Sequence, residues 1–415
     1  MLNRFAISFL AGLLLSLAPG STFADTLKIA ILNGLSGTNG LSGEAQLTAF
    51  RAAVDVVNAR GGVLGGTQLE MVPMDNKSSP QEAVTLLNRV VDGDIHFVAS
   101  TLSSVVHALS ESIAKHNARN PEKPILLLNF SALDPALTES KCSFWHFRFE
   151  PHTDMQLNAM TSYMAAQRSI EKVYLINQDY AFGQAVSRTS REQLNAKRRA
   201  IAIVGDELVP LAKVKDFAPY VAKIRASGAD SILTSNWGGD LTLLLKASSE
   251  MGLKANYYSL QAALFGTAAA VRAAGAANVK ALWSWHLNAT EGAWEQRILE
   301  SRTKYKTNAD LAYMPAFRTI EMFAAAVDLA GSTEPRKIAY AIEGLHWNGP
   351  TGDSWMRAED HKVVAPMMLM SFAKAGTQGV RHDIEGTGYG WKTDVVVPAK
   401  DMVPPLRCTM ARPPG

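Results

Sequence analysis

Apolar runs of strand length alternate with segments of helical period through most of this chain. The first run, residues 26–32, precedes a segment in which Leu47, Phe50, Val54 and Val57 recur on one stripe. Further runs follow in the same rhythm at residues 68–72, 95–99 and 125–130. Strands that alternate with helices predict an α/β fold built on a parallel, doubly wound sheet.

The alternation restarts in the middle of the chain and predicts a second lobe of the same kind. Its strands are expected at residues 172–177, 201–208, 231–235 and 256–260. Extended stretches that carry Trp and Gly, at 281–286 and 349–353, predict crossings between the lobes. With hinges near His146, His286 and Gly352, the first lobe comprises residues 25–147 and 287–351. The second comprises 148–286 and 352–415, and a cleft separates the two Rossmann-like lobes.

The N-terminus has the pattern of a secretory signal peptide. Arg4 precedes an apolar run at 5–17, and Thr22-Phe23-Ala24 is a small-x-small site that predicts cleavage before Asp25. An uncleaved membrane anchor is the alternative, but a span needs about 20 apolar residues. No Cys lies near the site, so a lipid anchor is not indicated. Residues 1–24 are therefore expected to be removed, which leaves a soluble periplasmic protein.

Charge and cysteine content exclude several classes of partner. The chain has 41 basic and 38 acidic residues, and this balance argues against a nucleic-acid partner. Only Cys142 and Cys408 are present, so in an oxidising compartment they form either one disulfide or two free buried thiols. No close Cys/His spacing indicates a metal site. A monomer is expected.

The loop at residues 33–43, NGLSGTNGLSG, raises the question of a bound nucleotide. It lies between a strand and a helix, where phosphates bind. However, the GxG pair of the dinucleotide fingerprint and the GxxxxGK[ST] motif are missing. We therefore expect no cofactor here, and interpret the loop as a turn that approaches a ligand or the other lobe. No GxSxG elbow is present and the His residues show no fixed spacing to a nucleophile, so no enzyme is indicated.

Hydroxyl-bearing segments follow the third and fourth strands. Ser103 and Ser104 lie in the sequence STLSS at the start of a predicted helix, where hydroxyls and free N–H groups can bind a carboxylate. Ordinary helix capping is the alternative. The segment 129–135, NFSALDP, leaves the fourth strand at the edge where open α/β sheets bind ligands.

Several of these segments together resemble the periplasmic solute-binding proteins of ABC importers, in the branched-chain amino-acid (Leu/Ile/Val-binding) family. The matching segments are LKIAILNGLSG, AVDVVNARGGVLGG, SALDPALTESKCSFWHFR, DYAFG, VKDFAPYVAKIRASGAD and WNGPTGD. The resemblance covers nearly the whole mature chain. It implies a type I periplasmic binding fold, three crossings between two lobes, closure around one small solute and delivery to a membrane permease.

The resemblance also implies a set of ligand-binding positions. Ser103 matches the serine that receives the ligand carboxylate, and Ser131 and Leu133 match a pair that contacts the head group. Phe182 and Trp237 fall on aromatic positions, for which core packing is the alternative. Gln261 aligns with an acidic residue that pairs with the ligand ammonium.

Two departures from the family pattern bear on the ligand. Leu133 cannot donate a hydroxyl hydrogen bond, and Gln261 carries no negative charge, although Asp134, Asp179 or Asp240 could substitute for it. Because a buried ammonium without a charged partner is costly, we expect a small carboxylate with an apolar or aromatic body. A branched-chain or other hydrophobic amino acid is the alternative. A sensor that presents its ligand to a regulator and an exported enzyme are the other readings.

Overall fold

The structure is a computed structural model that describes residues 26–275, 278–308 and 313–414. The predicted signal peptide and its cleavage site before Asp25 lie outside the described residues. Within the described ranges, no helix is long and apolar enough to cross a bilayer.

The strands in chain order are β1 (Thr26–Asn33), β2 (Gln68–Asp75), β3 (Phe97–Ser100), β4 (Leu126–Asn129), β5 (His146–Arg148), β6 (Lys172–Gln178), β7 (Ala202–Val209), β8 (Ser231–Thr234), β9 (Asn256–Ser259), β10 (Val279–Trp283), β11 (His346–Gly349), β12 (Gly352–Arg357), β13 (Lys362–Val364), β14 (Met367–Lys374) and β15 (Tyr389–Val397). The helices are α1 (Gly40–Ala59), α2 (Pro80–Asp92), α3 (Ser103–Arg119), α4 (Thr153–Ala166), α5 (Ala181–Lys197), α6 (Ala218–Ser227), α7 (Gly238–Glu250), α8 (Ala268–Ala273), α9 (Ala293–Tyr305), α10 (Tyr313–Ala330) and α11 (Pro335–Ile342).

Two mixed sheets form the cores of two lobes. The first has the order β11-β12-β13-β5-β4-β3-β1-β2, and the second has the order β15-β14-β10-β9-β8-β6-β7. The central pairs are parallel, and antiparallel strands lie only at one side of each sheet. The predicted α/β class and both sets of four predicted strands are therefore confirmed. The short strand β5 was not predicted, because three residues are too few to show a period. The strands β10–β15 were not predicted either, and β10 overlaps the stretch 281–286 that was expected to be a crossing.

Burial on both faces explains why β1 is continuously apolar. Ile29 and Ile31 pack into the core beneath α1 and α10, whereas Ala30 and Leu32 pack into the core beneath α2 and α3. Successive side chains of a strand point to opposite faces, so a strand covered by helices on both faces must be apolar throughout. This pattern fixes the helices on both sides of the sheet.

The chain passes from one sheet to the other at three places. It leaves the first sheet after β5 and reaches α4, whose side chains pack against the second sheet. It returns between β10 and α9, through residues 284–292. Residues 365–366 then link β13 of the first sheet to β14 of the second.

The third crossing lies further along the chain than the sequence predicted. Gly352 was expected to begin the second lobe, but β11 and β12 form an antiparallel hairpin with Gly349 opposite Gly352, and both strands belong to the first sheet. The Gly residues and Pro350 mark a tight turn, and Gly352 has φ +112°. Turn residues look alike in a hairpin and at a crossing, so the pattern alone did not separate the two.

The C-terminal tail returns to the first lobe after β15. Cys142 and Cys408 form a disulfide, which resolves the alternative left open by the sequence. Arg357 donates a hydrogen bond to the carbonyl oxygen of Pro404 at 2.7 Å, and Arg412 forms an ion pair with Glu343 at 2.6 Å. Residues from about 403 onward therefore belong with the first lobe, whereas the sequence assigned them to the second.

Replacing Cys142 and Cys408 together with serine should lower the free energy of unfolding by about 2–4 kcal/mol, because the disulfide restricts the unfolded chain. The bond joins residues 266 positions apart. Urea unfolding of both proteins, with and without reductant, measures the effect. Reductant should lower the midpoint of the parent protein and leave the double variant unchanged. Equal midpoints without reductant would contradict the prediction.

Candidate ligand-binding site

A cavity lies between the lobes, where the carboxyl ends of strands from both sheets meet. It holds about 630 Å³ of empty space, including the solvent at its mouth. Segments that follow β1, β2, β3 and β4 line one side, and segments that follow β6, β8 and β9 line the other. The lining residues are Asn33, Gly34, Asn39, Ser42, Gly43, Gln46, Asn76, Ser78, Thr101, Leu102, Ser103, Ser131, Leu133, Tyr180, Phe182, Trp237, Gln261 and Leu264.

The lobes touch across this cavity, so the structure is a closed form. The turn at residues 37–39 contacts α7, and α3 contacts α5. The side-chain oxygen Oδ1 of Asn39 lies 3.7 Å from the position that a Cβ on Gly238 would occupy. The glycine-rich loop therefore approaches the other lobe, as the sequence predicted.

The N-terminus of α3 supplies hydrogen-bond donors to the cavity. Ser103 is the first residue of this 17-residue helix and is only 2% exposed. Its hydroxyl oxygen accepts a hydrogen bond from the backbone N–H of Asp134 at 3.1 Å, so its hydroxyl proton is available to a ligand. The first N–H groups of a helix lack partners within the helix and favour an anion.

The residue before α3 has an unusual backbone conformation. Leu102 has φ +67°, a region that residues other than glycine rarely adopt. Its carbonyl oxygen accepts the hydrogen bond from Val106 N–H at 2.9 Å that begins the helix. Strained residues of this kind cluster at ligand sites, where the surrounding structure holds them.

Three of the four first-lobe amide side chains that line the cavity already use their acceptor oxygens. Asn33 Oδ1 accepts from Gly34 N–H at 2.9 Å, and Gln46 Oε1 accepts from Asn33 Nδ2 at 2.8 Å. Asn76 Oδ1 accepts from Ser78 N–H at 2.9 Å. These contacts shape the loops and remove acceptors from the cavity.

Asp75, just outside the cavity, holds the glycine-rich loop. Burial opposes its ionisation, but hydrogen bonds from the Ser36 hydroxyl and from the N–H groups of Lys77 and Leu35 lower the pKa of Asp75 overall. The Ser36 contact is 2.5 Å and the Leu35 contact is 2.9 Å. The Asp75 carboxylate therefore holds the start of the loop from the side opposite the cavity.

A glycine in each lobe permits a close backbone approach beside the cavity. A Cβ on Gly43, in the first turns of α1, would lie 2.0 Å from the carbonyl oxygen of Gly34. A Cβ on Gly183, in the first turn of α5, would lie 1.9 Å from the carbonyl oxygen of Gln178. Both helices can therefore begin directly against the strand ends that carry the site.

Aromatic side chains line the wall formed by the second lobe. Trp237 Nε1 donates a hydrogen bond to the hydroxyl oxygen of Tyr180 at 2.9 Å, and the rings of Tyr180 and Phe182 have centroids 6.0 Å apart. Burial raises the pKa of Tyr180, so its phenol stays neutral at physiological pH. The wall offers ring faces and edges to a flat or apolar ligand.

Gln261 presents an unused donor to the cavity. The residue is 4% exposed, and its side-chain Nε2 has no hydrogen-bond partner within the part of the chain that the structure describes. A buried donor without an acceptor costs about 1–3 kcal/mol. A ligand oxygen at this position would remove that cost, whereas an ammonium group would not.

None of the three acidic residues considered as ammonium partners lines the cavity. Asp134 Oδ2 lies 2.6 Å from His107 Nε2, and Asp179 Oδ1 accepts from Gln184 at 2.8 Å. Asp240 Oδ2 accepts from Gln178 at 2.7 Å. Burial opposes ionisation of Asp134, but hydrogen bonds from His107 and from Ala136 N–H lower its pKa overall. Across the described residues, the lining side chains carry no formal charge.

The cavity brings together six of the seven predicted ligand-binding positions: Ser103, Ser131, Leu133, Phe182, Trp237 and Gln261. Ser104 lies on the helix beyond it and is not among the lining residues. Sequence analysis did not single out Tyr180, Leu264 and the amides Asn33, Gln46 and Asn76. A signal was present for Asn33, Asn76 and Tyr180, because each lies at the carboxyl end of a parallel strand or just after it.

No group of three or more His, Cys, Asp or Glu side chains in the described ranges could hold a metal ion.

Comparisons with known proteins agree with this geometry. A family model described as periplasmic binding protein matches residues 26–377. The Leu/Ile/Val-binding protein homolog 4 of Brucella melitensis is 31% identical over 421 residues, which cover 97% of each chain. The closed form of a leucine-, isoleucine-, valine-, threonine- and alanine-binding protein from Brucella ovis superposes with a TM-score of 0.81 at 28% identity, over 94% of this chain and 100% of that one.

A further solved structure shares the fold at lower identity. It is a solute-binding protein of an ABC transporter from R. palustris in complex with 4-hydroxybenzoate. The TM-score is 0.76 at 18% identity, over 90% of this chain and 97% of that one.

The close approach of Gly43 to Gly34 gives a prediction about stability. Gly43→Ala should lower the free energy of unfolding by about 1–3 kcal/mol, because the new methyl group meets a backbone oxygen that cannot move aside cheaply. Gly66→Ala is the matched control, since a Cβ there has no heavy atom within 4 Å. Urea unfolding compares the two variants with the parent. A Gly43 variant as stable as the Gly66 variant would contradict the prediction.

Proposed function

We propose the following function from one premise: this chain belongs to the periplasmic binding protein family. It serves as the extracytoplasmic solute-binding component of an ABC importer of the branched-chain amino-acid type. It binds one small solute between its lobes and delivers it to a membrane permease. It acts as a monomer and not as an enzyme.

Export is part of this function. The basic start, the apolar run and the small-x-small site favour removal of residues 1–24 with cleavage before Asp25. The mature protein then meets its solute outside the inner membrane. A disulfide between Cys142 and Cys408 suits an oxidising compartment.

The ligand is a small carboxylate with an apolar or aromatic body. The observation that carries this proposal is the charge of the cavity, whose described lining side chains are all uncharged. Ser103 and the first N–H groups of α3 receive the carboxylate, and the aromatic wall of Tyr180, Phe182 and Trp237 contacts the body. The unpartnered Gln261 amide donates to a ligand oxygen.

A branched-chain or other hydrophobic amino acid is the second candidate. The names of the Brucella relatives favour it. An amino acid brings an ammonium group, and burying it without a charged partner costs several kcal/mol. The engaged carboxylates of Asp134, Asp179 and Asp240 do not supply that partner. The charge of the site therefore favours the deaminated acid.

A sensor that uses the same fold to present its ligand to a regulator or receptor is a further alternative. It would bind the same solute by the same closure. A gene for a permease beside the gene for this protein would favour the importer.

Closure couples binding to recognition by the permease. The ligand contacts segments from both lobes, so it stabilises the closed form relative to an open form in which those contacts are separated. Rotation about residues 149–152, 284–292 and 365–366 would open the cleft.

Benzoate should raise the melting temperature of the ligand-free protein, whereas leucine, isoleucine and valine should not. A ligand present at a hundred times its Kd adds about 2.7 kcal/mol to the free energy of unfolding of the protein. Thermal unfolding of protein that has been unfolded, dialysed and refolded measures the shift. Benzamide is the matched control, because it keeps the ring and lacks the negative charge. Protection by leucine and none by benzoate would overturn the proposed ligand class in favour of the amino acid.

Trp237→Ala should weaken benzoate binding by about 2 kcal/mol, since the indole supplies apolar contact area and a ring face. Trp237→Phe should retain part of the affinity, because it keeps one aromatic ring while it loses the rest of the indole area and the Nε1 contact to Tyr180. Isothermal titration gives the affinities, and thermal unfolding without ligand reports the stability. A large loss of stability in Trp237→Ala, with affinity unchanged, would instead assign the residue to the core.

A further inference from the structure

Three successive carbonyl groups in the loop after β4 point away from the cavity. The oxygen of Ala132 accepts from Arg148 Nη1 at 2.9 Å and from Asn129 Nδ2 at 3.0 Å, and the oxygen of Asp134 accepts from Arg148 Nη2 at 2.6 Å. Between them, the oxygen of Leu133 accepts from the N–H of Thr153 at 3.0 Å and from its hydroxyl at 2.7 Å. The peptide dipoles of this loop are therefore held with their negative ends away from the ligand.

Two N–H groups of the same loop have acceptors within the part of the protein that the structure describes, and the one between them does not. Ala132 N–H donates to Asn129 Oδ1 at 2.7 Å, and Asp134 N–H donates to the Ser103 hydroxyl at 3.1 Å. The N–H of Leu133 has no acceptor among the residues that the structure describes. Leu133 lines the cavity and is buried, so this N–H is placed to meet a ligand. The loop therefore offers one free backbone donor to the cavity, beside the Ser103 hydroxyl that accepts from the N–H of Asp134.

The guanidinium group that orders the loop is itself unusual. Arg148 is the last residue of β5, it is fully buried, and no carboxylate within the described ranges approaches it within 4.0 Å. Burial lowers the pKa of Arg148 to about 10, which leaves it protonated at neutral pH. A buried cation without a direct partner is costly, and an anion on the other side of the loop reduces that cost.

We propose that Arg148 is the positioning residue that makes the 131–134 loop a receptor for an anionic group. It does not reach the ligand itself. It holds two carbonyl groups out of the cavity, frees the N–H of Leu133 for the ligand and adds a positive charge behind the loop. Because the first crossing begins directly after Arg148, the same contacts join the ligand loop to a hinge. The inference rests on the proposed function in one respect, that the ligand carries a carboxylate.

Arg148→Lys and Arg148→Met test this role, with benzoate and benzamide as probes. Lysine keeps the charge but cannot donate to both carbonyl groups in the same geometry, so benzoate affinity should fall about tenfold. Methionine removes the charge as well, and the loss should approach a hundredfold. Affinity for benzamide should change by no more than about twofold in either variant. Isothermal titration gives the affinity of each variant for each probe, relative to that of the parent protein.

Arg318→Lys is the matched control, because Arg318 is also fully buried in the first lobe but donates to Phe149 O and Glu150 instead of the ligand loop. It should leave the ratio of benzoate to benzamide affinity unchanged. Thermal unfolding without ligand is measured for all variants, and if Arg148→Met does not fold, Arg148→Lys alone gives the result.

Two different outcomes separate this inference from the proposed function. If Arg148→Lys weakens benzoate and benzamide by the same factor, Arg148 has only a structural role and the inference is wrong. If the parent protein binds leucine and not benzoate, the proposed ligand class is wrong. The role of Arg148 is then measured with leucine and leucinamide, and an unchanged ratio between these two would overturn it.

Discussion

A fully buried ion pair anchors the first crossing to the first lobe. Glu150 lies in the first crossing, and its Oε2 is 2.7 Å from Arg318 Nη1 on α10, with both side chains 0% exposed. Arg318 also donates to the carbonyl oxygen of Phe149 at 3.0 Å. Burial raises the pKa of Glu150 and lowers the pKa of Arg318, yet breaking such a pair leaves an uncompensated charge and costs about 3–5 kcal/mol. The ion pair therefore fixes the direction in which the chain leaves the first sheet. That direction determines where α4 and the second lobe lie.

The hydrogen-bonding groups of the cavity come largely from the way the backbone is placed at the strand ends. Parallel strands end at one edge of each sheet, and the crossings bring the two edges face to face. The N-terminus of α3 and the 131–134 loop contribute N–H donors, while the amide oxygens of Asn33, Gln46 and Asn76 accept hydrogen bonds from the protein itself. These donors, in a lining whose described side chains are all uncharged, are the basis on which we propose an anionic ligand. The positive charge of Arg148 lies behind the loop, where it orders the backbone.

Periodicity in the sequence was sufficient to predict the eight strands β1–β4 and β6–β9, because β1 and β6, for example, are buried on both faces and read as continuous apolar runs. It did not predict β5 or β10–β15 as strands. Family resemblance placed Ser103, Ser131 and Trp237, since each belongs to a segment with a fixed position after a strand. The third crossing was misplaced at Gly352 because a hairpin turn and a crossing use the same residue types. The destination of the C-terminal tail stayed open, because a chain with two cysteines is compatible with one disulfide or with two free buried thiols, and the structure shows the disulfide.

No sequence pattern assigned a role to Arg148. It lies in a three-residue strand, and its two hydrogen bonds reach carbonyl groups, which every residue carries and no sequence pattern marks. The same holds for Leu102, because no sequence pattern marks its positive φ. Motifs record side chains that touch a ligand, whereas the polarity of this cavity is set by groups that orient the backbone.

Leu133 illustrates the consequence. Its side chain cannot make the hydroxyl contact expected at that position, but its N–H is left open toward the cavity because Arg148, Asn129 and Thr153 hold the neighbouring carbonyl groups away. A residue that departs from the family pattern in its side chain can therefore still recognise a carboxylate through its backbone.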